Sequence, residues 1–498
     1  MSTFKQLAGQ TAIYGLSSIV GRFLNYLLVV LYTRVFSQGE YGIVTQLYAY
    51  VAFLNILFTY GLETGFFKFF QSEKDKTRVY STSLISIIAS SISLTLIIFI
   101  FAEPISATIL NGTVDGAFYV KLFAVILASD AITAIPFAKL RQENRAKRFV
   151  FIRLMNIAVN IGLNLFFFLL CPYLLKNDAS SWVKNIYDPS FGVGYVFIST
   201  LLSSLVTLIL LFPELFKVKH NFDSALWKKM LVYSFPLMIA GFAGMINETF
   251  DRILIPYLTP DKSSAMAQLG VYGACYKLSI IMTLFIQTFR YAAEPFFFNQ
   301  STKENPQAVY AKVMHYFVLI CAFIFLGVML YIDLVKYFIG PDFRSGLGVV
   351  PILLMANLCL GVYYNLSIWY KLTAKTRWGA WLSVFGAVVT LAFNFWLIPI
   401  AGFMGAAWAT LICYASMMIL SYYIGQKHYP INYNLRSFFF YIGLALIIWI
   451  LSAFIRQELK FTDNILLAIN TLLLLLYALI VWYSERNKNS YLRAHSGK

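Results

Sequence analysis

The chain has 498 residues, of which 60% are hydrophobic and only 12% charged, with a formal net charge of +17. A soluble protein of this length would carry about twice that share of charge, so this composition excludes a large soluble domain. Apolar runs long enough to cross a bilayer, about 20 residues, recur from one end to the other.

Segments bounded by polar or Pro/Gly-rich breaks fall at 8–36, 41–67, 79–101, 117–138, 147–175, 191–216, 229–257, 265–290, 309–332, 347–371, 378–399, 401–424, 437–455 and 464–484. The pattern predicts an all-α polytopic membrane protein with fourteen transmembrane helices. The narrowest separation is "LIPIAGFMGAA", where Pro399 and Gly402 mark a tight turn. The N-terminus shows no short apolar core followed by a cleavage site, so the first helix is expected to act as the insertion signal.

Lysine and arginine alternate loop by loop. With the N-terminus placed in the cytoplasm, 26 of them fall on the inside and 7 on the outside, with the remaining six inside spans. The positive-inside rule then assigns both termini to the cytoplasm. Basic loops facing anionic lipid account for the net charge without a nucleic-acid partner.

An internal repeat is visible. Tyr41-Gly42, Glu63 and Phe66-Phe67 match Tyr272-Gly273, Glu294 and Phe297-Phe298 at an offset of 231 residues. Lys139-Leu140 with Arg145 matches Lys371-Leu372 with Arg377 at 232. Six helices separate the copies, so both run the same way through the membrane. The expected architecture is two six-helix lobes related by a parallel pseudo-two-fold axis, plus two extra C-terminal helices, around a central cavity. The corresponding domains are 1–220 (helices 1–6), 221–430 (helices 7–12) and 431–498 (helices 13–14 and a cytoplasmic tail).

Charges at mid-membrane are costly and normally face protein or water. Arg22, Arg34, Arg153, Arg252 and Lys277 lie within spans; the comparable acids are Asp130, Glu248 and Asp251. Arg153 opens a polar stripe with Asn156, Asn160 and Asn164, which serves either as interhelical glue or as cavity lining. In "NETFDR" Glu248 and Arg252 stand four apart, spaced for an ion pair or for an anion site in which an acid holds the arginine or carries a coupling proton. Lys277 has no acid one turn away. Arg22, Arg153, Arg252 and Lys277 are therefore the candidate anion-binding residues, and Glu248, Asp251 and Asp130 the candidate coupling or ion-pair acids. The five cysteines sit in or at the ends of apolar segments and read as small buried hydrophobes. No Walker loop, nucleophile elbow or zinc spacing occurs, and neither an enzymatic activity nor a cofactor beyond a coupling H⁺ or Na⁺ is expected.

In "GRFLNYLLVVLYTRVFSQGEYGIV", "NETFDRILI" with "LGVYGACYKLS", and "NFWLIPIAGFMGAAWAT", the chain resembles the polysaccharide-exporter (Wzx-like oligosaccharide flippase) branch of the multidrug/oligosaccharidyl-lipid/polysaccharide exporter superfamily. The resemblance implies alternating-access transfer of undecaprenyl-pyrophosphate-linked oligosaccharide across the bacterial cytoplasmic membrane. The product would be an O-antigen, capsule or exopolysaccharide, and the partners a polysaccharide polymerase and glycosyltransferases. It also implies a cationic cavity holding Arg22, Arg252 and Lys277. A lipid II flippase and a cation-coupled multidrug antiporter are same-superfamily alternatives. The drug exporters commonly carry an acid in the first helix, which this chain lacks. A non-transporting scaffold of a polysaccharide-synthesis complex is a third class.

Single-cysteine labelling in whole cells should place residues 72–76, 141–147 and 303–307 inside and 178–188 and 261–264 outside. Reversal of any neighbouring pair breaks the fourteen-helix reading and the repeat with it.

Overall fold

A computed structural model describes residues 20–21, 23–110, 115–177, 182–216, 221–458 and 462–495. Among these the secondary structure is helical throughout, with no strand, as the sequence predicts. In chain order the principal helices are α1 (Phe23–Val35), α2 (Gln38–Ser72), α3 (Lys76–Ile100), α4 (Gly116–Gln142), α5 (Ala146–Asn177), α6 (Gly194–Leu210) and α7 (Ser224–Leu258). They continue with α8 (Ala265–Gln300), α9 (Pro306–Leu330), α10 (Val349–Leu372) and a stretch, Arg377–His428, divided at Gly402 into α11 and α12. α13 (Leu435–Glu458) and α14 (Asp463–His495) complete the chain. Among the described residues, eleven stretches are long and apolar enough to span a membrane, with Arg377–His428 counted as one, and α1 and α6 are shorter apolar helices.

Local chemistry fixes several of these boundaries. Ser37 and Glu40 form a reciprocal capping box at the start of α2. Asp223 caps α7 by accepting from the N–H groups of Ala225 and Leu226. Inside α2 the helix breaks at Tyr60-Gly61, where both residues are left-handed (φ 34° and 70°). A Cβ on Gly61 would also stand 3.0 Å from the Ser234 carbonyl. The turn expected near Pro399 is made by Gly402 alone, at φ 55°; Pro399, three residues earlier, remains within the helix.

The chain forms two compact units. One holds the described residues up to Ala274 together with Thr390–Ala406; the other holds Cys275–Val389 together with the described residues from Ala407 onward. The boundary falls inside α8, so α7 and the start of α8, Ala265 to Ala274, pack with the N-terminal helices.

In the first unit, Phe58, Leu62, Phe66, Tyr80, Leu84, Leu127, Ile135 and Met230 build a core between α2, α3, α4 and α7. At a second contact in this unit, α2 and α8 approach backbone to backbone. A Cβ on Gly42 would lie 2.1 Å from the Met266 carbonyl oxygen, and one on Gly270 would lie 1.9 Å from that of Gln38. Gly273 is closed over by Thr45. Small residues at a membrane helix crossing permit this approach. Gly42 and Gly273 are the glycines of the two repeat motifs, so the duplicated Tyr-Gly pairs meet at one crossing.

In the second unit, Cys359, Tyr363, Trp369, Leu382, Cys413, Tyr414 and Met417 pack α10, α11 and α12. α13 and α14 are fastened to α9 at both ends. Asn470 donates to the Leu330 carbonyl (2.7 Å), and Arg456 pairs with Asp333 just beyond α9 (3.0 Å). Near the other end His315 meets Glu485 (3.0 Å), whose carboxylate also accepts from the Tyr441 hydroxyl. All five cysteines are buried free thiols, in line with their apolar setting.

Replacing Gly42 by Val drives a side chain into backbone that cannot yield, so it should cost at least the roughly 1–3 kcal/mol of ordinary overpacking. Gly39→Ala, where nothing lies within 4 Å, should leave the melting temperature of the detergent-purified protein close to the parent's. Equal melting temperatures for the two variants would show that the α2–α8 crossing is not close-packed.

Candidate functional site

The first unit carries a polar face built from α1, α4, α5 and α6. Asp130, in the middle of α4, is exposed and accepts from the Ser204 hydroxyl (2.8 Å). Arg153 on α5 is exposed too, with its guanidinium 4.3 Å above the Phe137 ring, and its charge interacts with that of Asp130. A charged group left at the surface in mid-span, as Asp130 is, cannot face hydrocarbon without a penalty of about 2.5–3.5 kcal/mol or more. This face therefore requires water or protein opposite it.

The stripe beginning at Arg153 divides between two uses. Asn156 donates to Thr207 (3.0 Å), and buried Asn164 accepts from the Tyr32 hydroxyl (2.7 Å) while donating to Asn160. Those two residues join helices. Asn160, half-buried, reaches Asn25 on α1 at 3.4 Å, so it joins helices as well, and Arg153 is the exposed end of the stripe.

A second polar group lies where α7 meets α8. Asp251 is buried and accepts a 2.5 Å hydrogen bond from the hydroxyl of fully buried Tyr272. Arg252 is half-buried and donates from Nη1 to the main-chain carbonyl of Glu248 (3.3 Å). Glu248 itself is exposed. In the loop after α7, Asp261 accepts from the hydroxyl and N–H of Ser263 (2.6 and 3.0 Å), and these bonds hold its carboxyl below the usual carboxylate range.

The second unit holds Lys277, half-buried and engaged within the protein. It opens a single tight turn, Lys277–Ser279, that interrupts α8. Toward the far end of α8, Glu294 is held by Arg290 (3.2 Å) and by Lys371 from α10, and the Arg290 guanidinium stacks 4.6 Å from the Tyr364 ring. In the first unit the repeat-equivalent Glu63 pairs with Arg141. Both copies thus tie the end of one helix to a cation two helices later. The i, i+4 spacing of Arg290 and Glu294 signals half of this cluster; the Lys371 contact, 77 residues away, has no local sequence signal. His315–Glu485 was equally invisible, because Glu485 reads as part of a polar tail.

Arg22 lies outside the described residues. Arg153, Asp130, Glu248, Asp251 and Arg252 belong to the first unit and Lys277 to the second. Asp130 and Arg153 share one face, while Glu248, Asp251 and Arg252 cluster on α7.

The Tyr272–Asp251 bond should act as a structural tie. A hydrogen bond to a charged group contributes about 1.5–3 kcal/mol, so Tyr272→Phe should lower the melting temperature. Tyr272→Phe combined with Asp251→Asn should fall less than the sum of the two single losses. Strict additivity would mean that the pair is not coupled.

The model of the polysaccharide biosynthesis protein family matches residues 7–301. No curated protein matches the chain. Among solved structures it is similar to the lipid II flippase MurJ in an inward closed conformation, at 15% identity and a TM-score of 0.72, covering 94% of this chain and 98% of that one. It is also similar to an inward-facing multidrug-resistance MATE family transporter of the MOP superfamily, at 14% identity and a TM-score of 0.63, covering 82% and 94%. At these identities the likeness carries the fold. The family match, spanning more than half of the sequence, places this chain in the polysaccharide biosynthesis protein family.

Proposed function

We propose that this protein is a flippase that moves undecaprenyl-pyrophosphate-linked oligosaccharide units across the bacterial cytoplasmic membrane by alternating access, for synthesis of an O-antigen, capsule or exopolysaccharide. The observation that carries this reading is the exposed Asp130 in the middle of α4, with Arg153 exposed on the same face, on helices otherwise suited to lipid. A polar face at that depth calls for a hydrated path. In a family named for polysaccharide biosynthesis, a lipid-linked sugar is the cargo that needs one. The protein is no enzyme in this reading. It works beside a polymerase and glycosyltransferases, with both termini in the cytoplasm.

The pyrophosphate is a dense anion whose transfer through hydrocarbon is prohibitive. Arg22, Arg252 and Lys277, with Arg153, are the cations proposed to receive it, the arginines through two-pronged hydrogen bonds to phosphate oxygens. The repeat supports two lobes, 1–220 and 221–430, that rock about a pseudo-two-fold axis and open the cavity to each side in turn, with 431–498 appended. Asp130, Glu248 and Asp251 are the proposed carriers of any coupling H⁺ or Na⁺. A lipid II flippase is the second reading, favoured by the fold shared with MurJ over 94% of this chain.

Export of surface glycan and the amount of folded protein in the membrane should be measured together. Arg252→Ala and Lys277→Ala should each reduce export by about tenfold or more at normal protein level. Arg252→Lys should also impair export, because a point charge does not replace a fork. Export that merely tracks protein level, restored when Glu248 is removed along with Arg252, makes Arg252 structural. Normal export by Lys277→Ala removes the cationic-cavity model's key residue. Rescue of a strain lacking its lipid II flippase, without glycan export, would decide for the second reading.

A further inference from the structure

The second unit contains a cavity of about 340 Å³ between α9, α10, α12 and α13. That volume lies at the small end of the range for ligand pockets, roughly 300–1,000 Å³. Its walls are apolar, with Val318 from α9, Val362 and Leu366 from α10, and Met418 from α12. Its mouth is formed by Ile419, Tyr423 and Phe439, which are 50%, 64% and 68% exposed. In a membrane-spanning helix such residues face lipid, so the cavity opens sideways into the bilayer rather than into water.

The depth of the cavity can be read from α9. His315, on its wall, lies nine residues from Pro306, about 14 Å along the helix. The cavity therefore occupies the leaflet nearest the start of α9 and the end of α12. The imidazole of His315 lies 3.0 Å from Glu485, which also accepts from Tyr441, so the histidine on the lining faces an acid inside the protein. Nothing in the lining asks for a charged ligand within the cavity.

The rim differs. Lys312 lies one turn before the lining residue His315 on α9, Lys427 one turn beyond Tyr423 on α12, and Arg436 one turn before Phe439 on α13, each sharing a helix face with that lining residue; all three are exposed. The loop-by-loop charge bias puts this end in the cytoplasm, where the leaflet carries anionic lipid. A basic rim over an apolar slot between transmembrane helices matches an acidic headgroup above a hydrocarbon chain.

We infer that this cavity is a binding site for an anionic diacyl phospholipid of the cytoplasmic leaflet, with one acyl chain between α9, α10, α12 and α13 and its phosphate on Lys312, Lys427 and Arg436. The bound lipid would fill the gap between α13 and the helices it leans on. This inference does not depend on which molecule the protein transports.

The test is native mass spectrometry of the delipidated full-length protein, titrated with phosphatidylglycerol, with phosphatidylcholine of the same chains, with glycerol phosphate and with undecaprenyl phosphate. Phosphatidylglycerol should bind most tightly. Each rim cation is worth roughly fivefold in affinity, so Lys427→Gln combined with Arg436→Gln should weaken it by about 25-fold. Ala311→Phe, which narrows the slot, should weaken both phospholipids. The rim variant alters only exposed side chains and decides the matter if the slot variant does not fold. Equal binding of the two phospholipids, or a rim variant that binds like the parent, overturns the inference. Competition by glycerol phosphate would mark a site for phosphate alone. Displacement by equimolar undecaprenyl phosphate would assign the slot to an isoprenoid chain. Either result also overturns it.

Discussion

An ionisable group in hydrocarbon has no water to solvate it, and this penalty orders the polar side chains of the whole molecule. Each buried acid has found donors. Asp251 takes the hydroxyl of Tyr272. Glu214, buried beyond α6, is gripped by Arg145 at 3.1 Å and Arg148 at 2.7 Å. Breaking a pair of this kind by removing one partner costs about 3–5 kcal/mol, because the other charge stays behind. Against that background the exposed Asp130 and Arg153 stand out. Asp130 meets Ser204 and Arg153 meets the Phe137 ring, but both remain at the surface of the first unit, so that surface cannot be a lipid face.

The same penalty explains what the sequence revealed and what it withheld. Hydrophobic runs are forced on any chain that crosses a bilayer, so the helices could be read directly. Backbone constraints such as Gly402 were legible too, since only a residue without a Cβ adopts that conformation cheaply. Side-chain partnership was not legible. Asn164 and Asn160 belong to one stripe, yet Asn164 is buried against Tyr32, 132 residues away, while Asn160 stays accessible. A polar residue in a span announces that it has a partner or meets water; it does not announce which.

The repeat gives a middle case. The matching Tyr-Gly and glutamate positions turn out to be sites of helix contact. Gly42 and Gly273 serve one crossing, and Glu63 and Glu294 each hold a cation from a helix further on. These contacts depend on backbone proximity and on one long-range ion pair, both of which tolerate little change. The cation itself has drifted. Glu63 is held by Arg141, whereas Glu294 is held by Lys371 and by Arg290 on its own helix.

Divergence between the copies is sharpest one turn beyond the glycine crossing. Lys277 aligns with Gln46 at the repeat offset of 231. Lys277 opens the tight turn that interrupts α8, whereas α2 runs through Gln46 without a break. Gln46 is fully buried, and neither its amide nitrogen nor its oxygen makes a hydrogen bond. A buried polar group left unmatched costs about 1–3 kcal/mol. The neighbouring Thr45 packs on Gly273, so the cost is incurred where α2 and α8 are tightly closed. The penalty is local to this crossing. Gln46 thus opposes the close packing that Gly42, Gly270 and Gly273 permit.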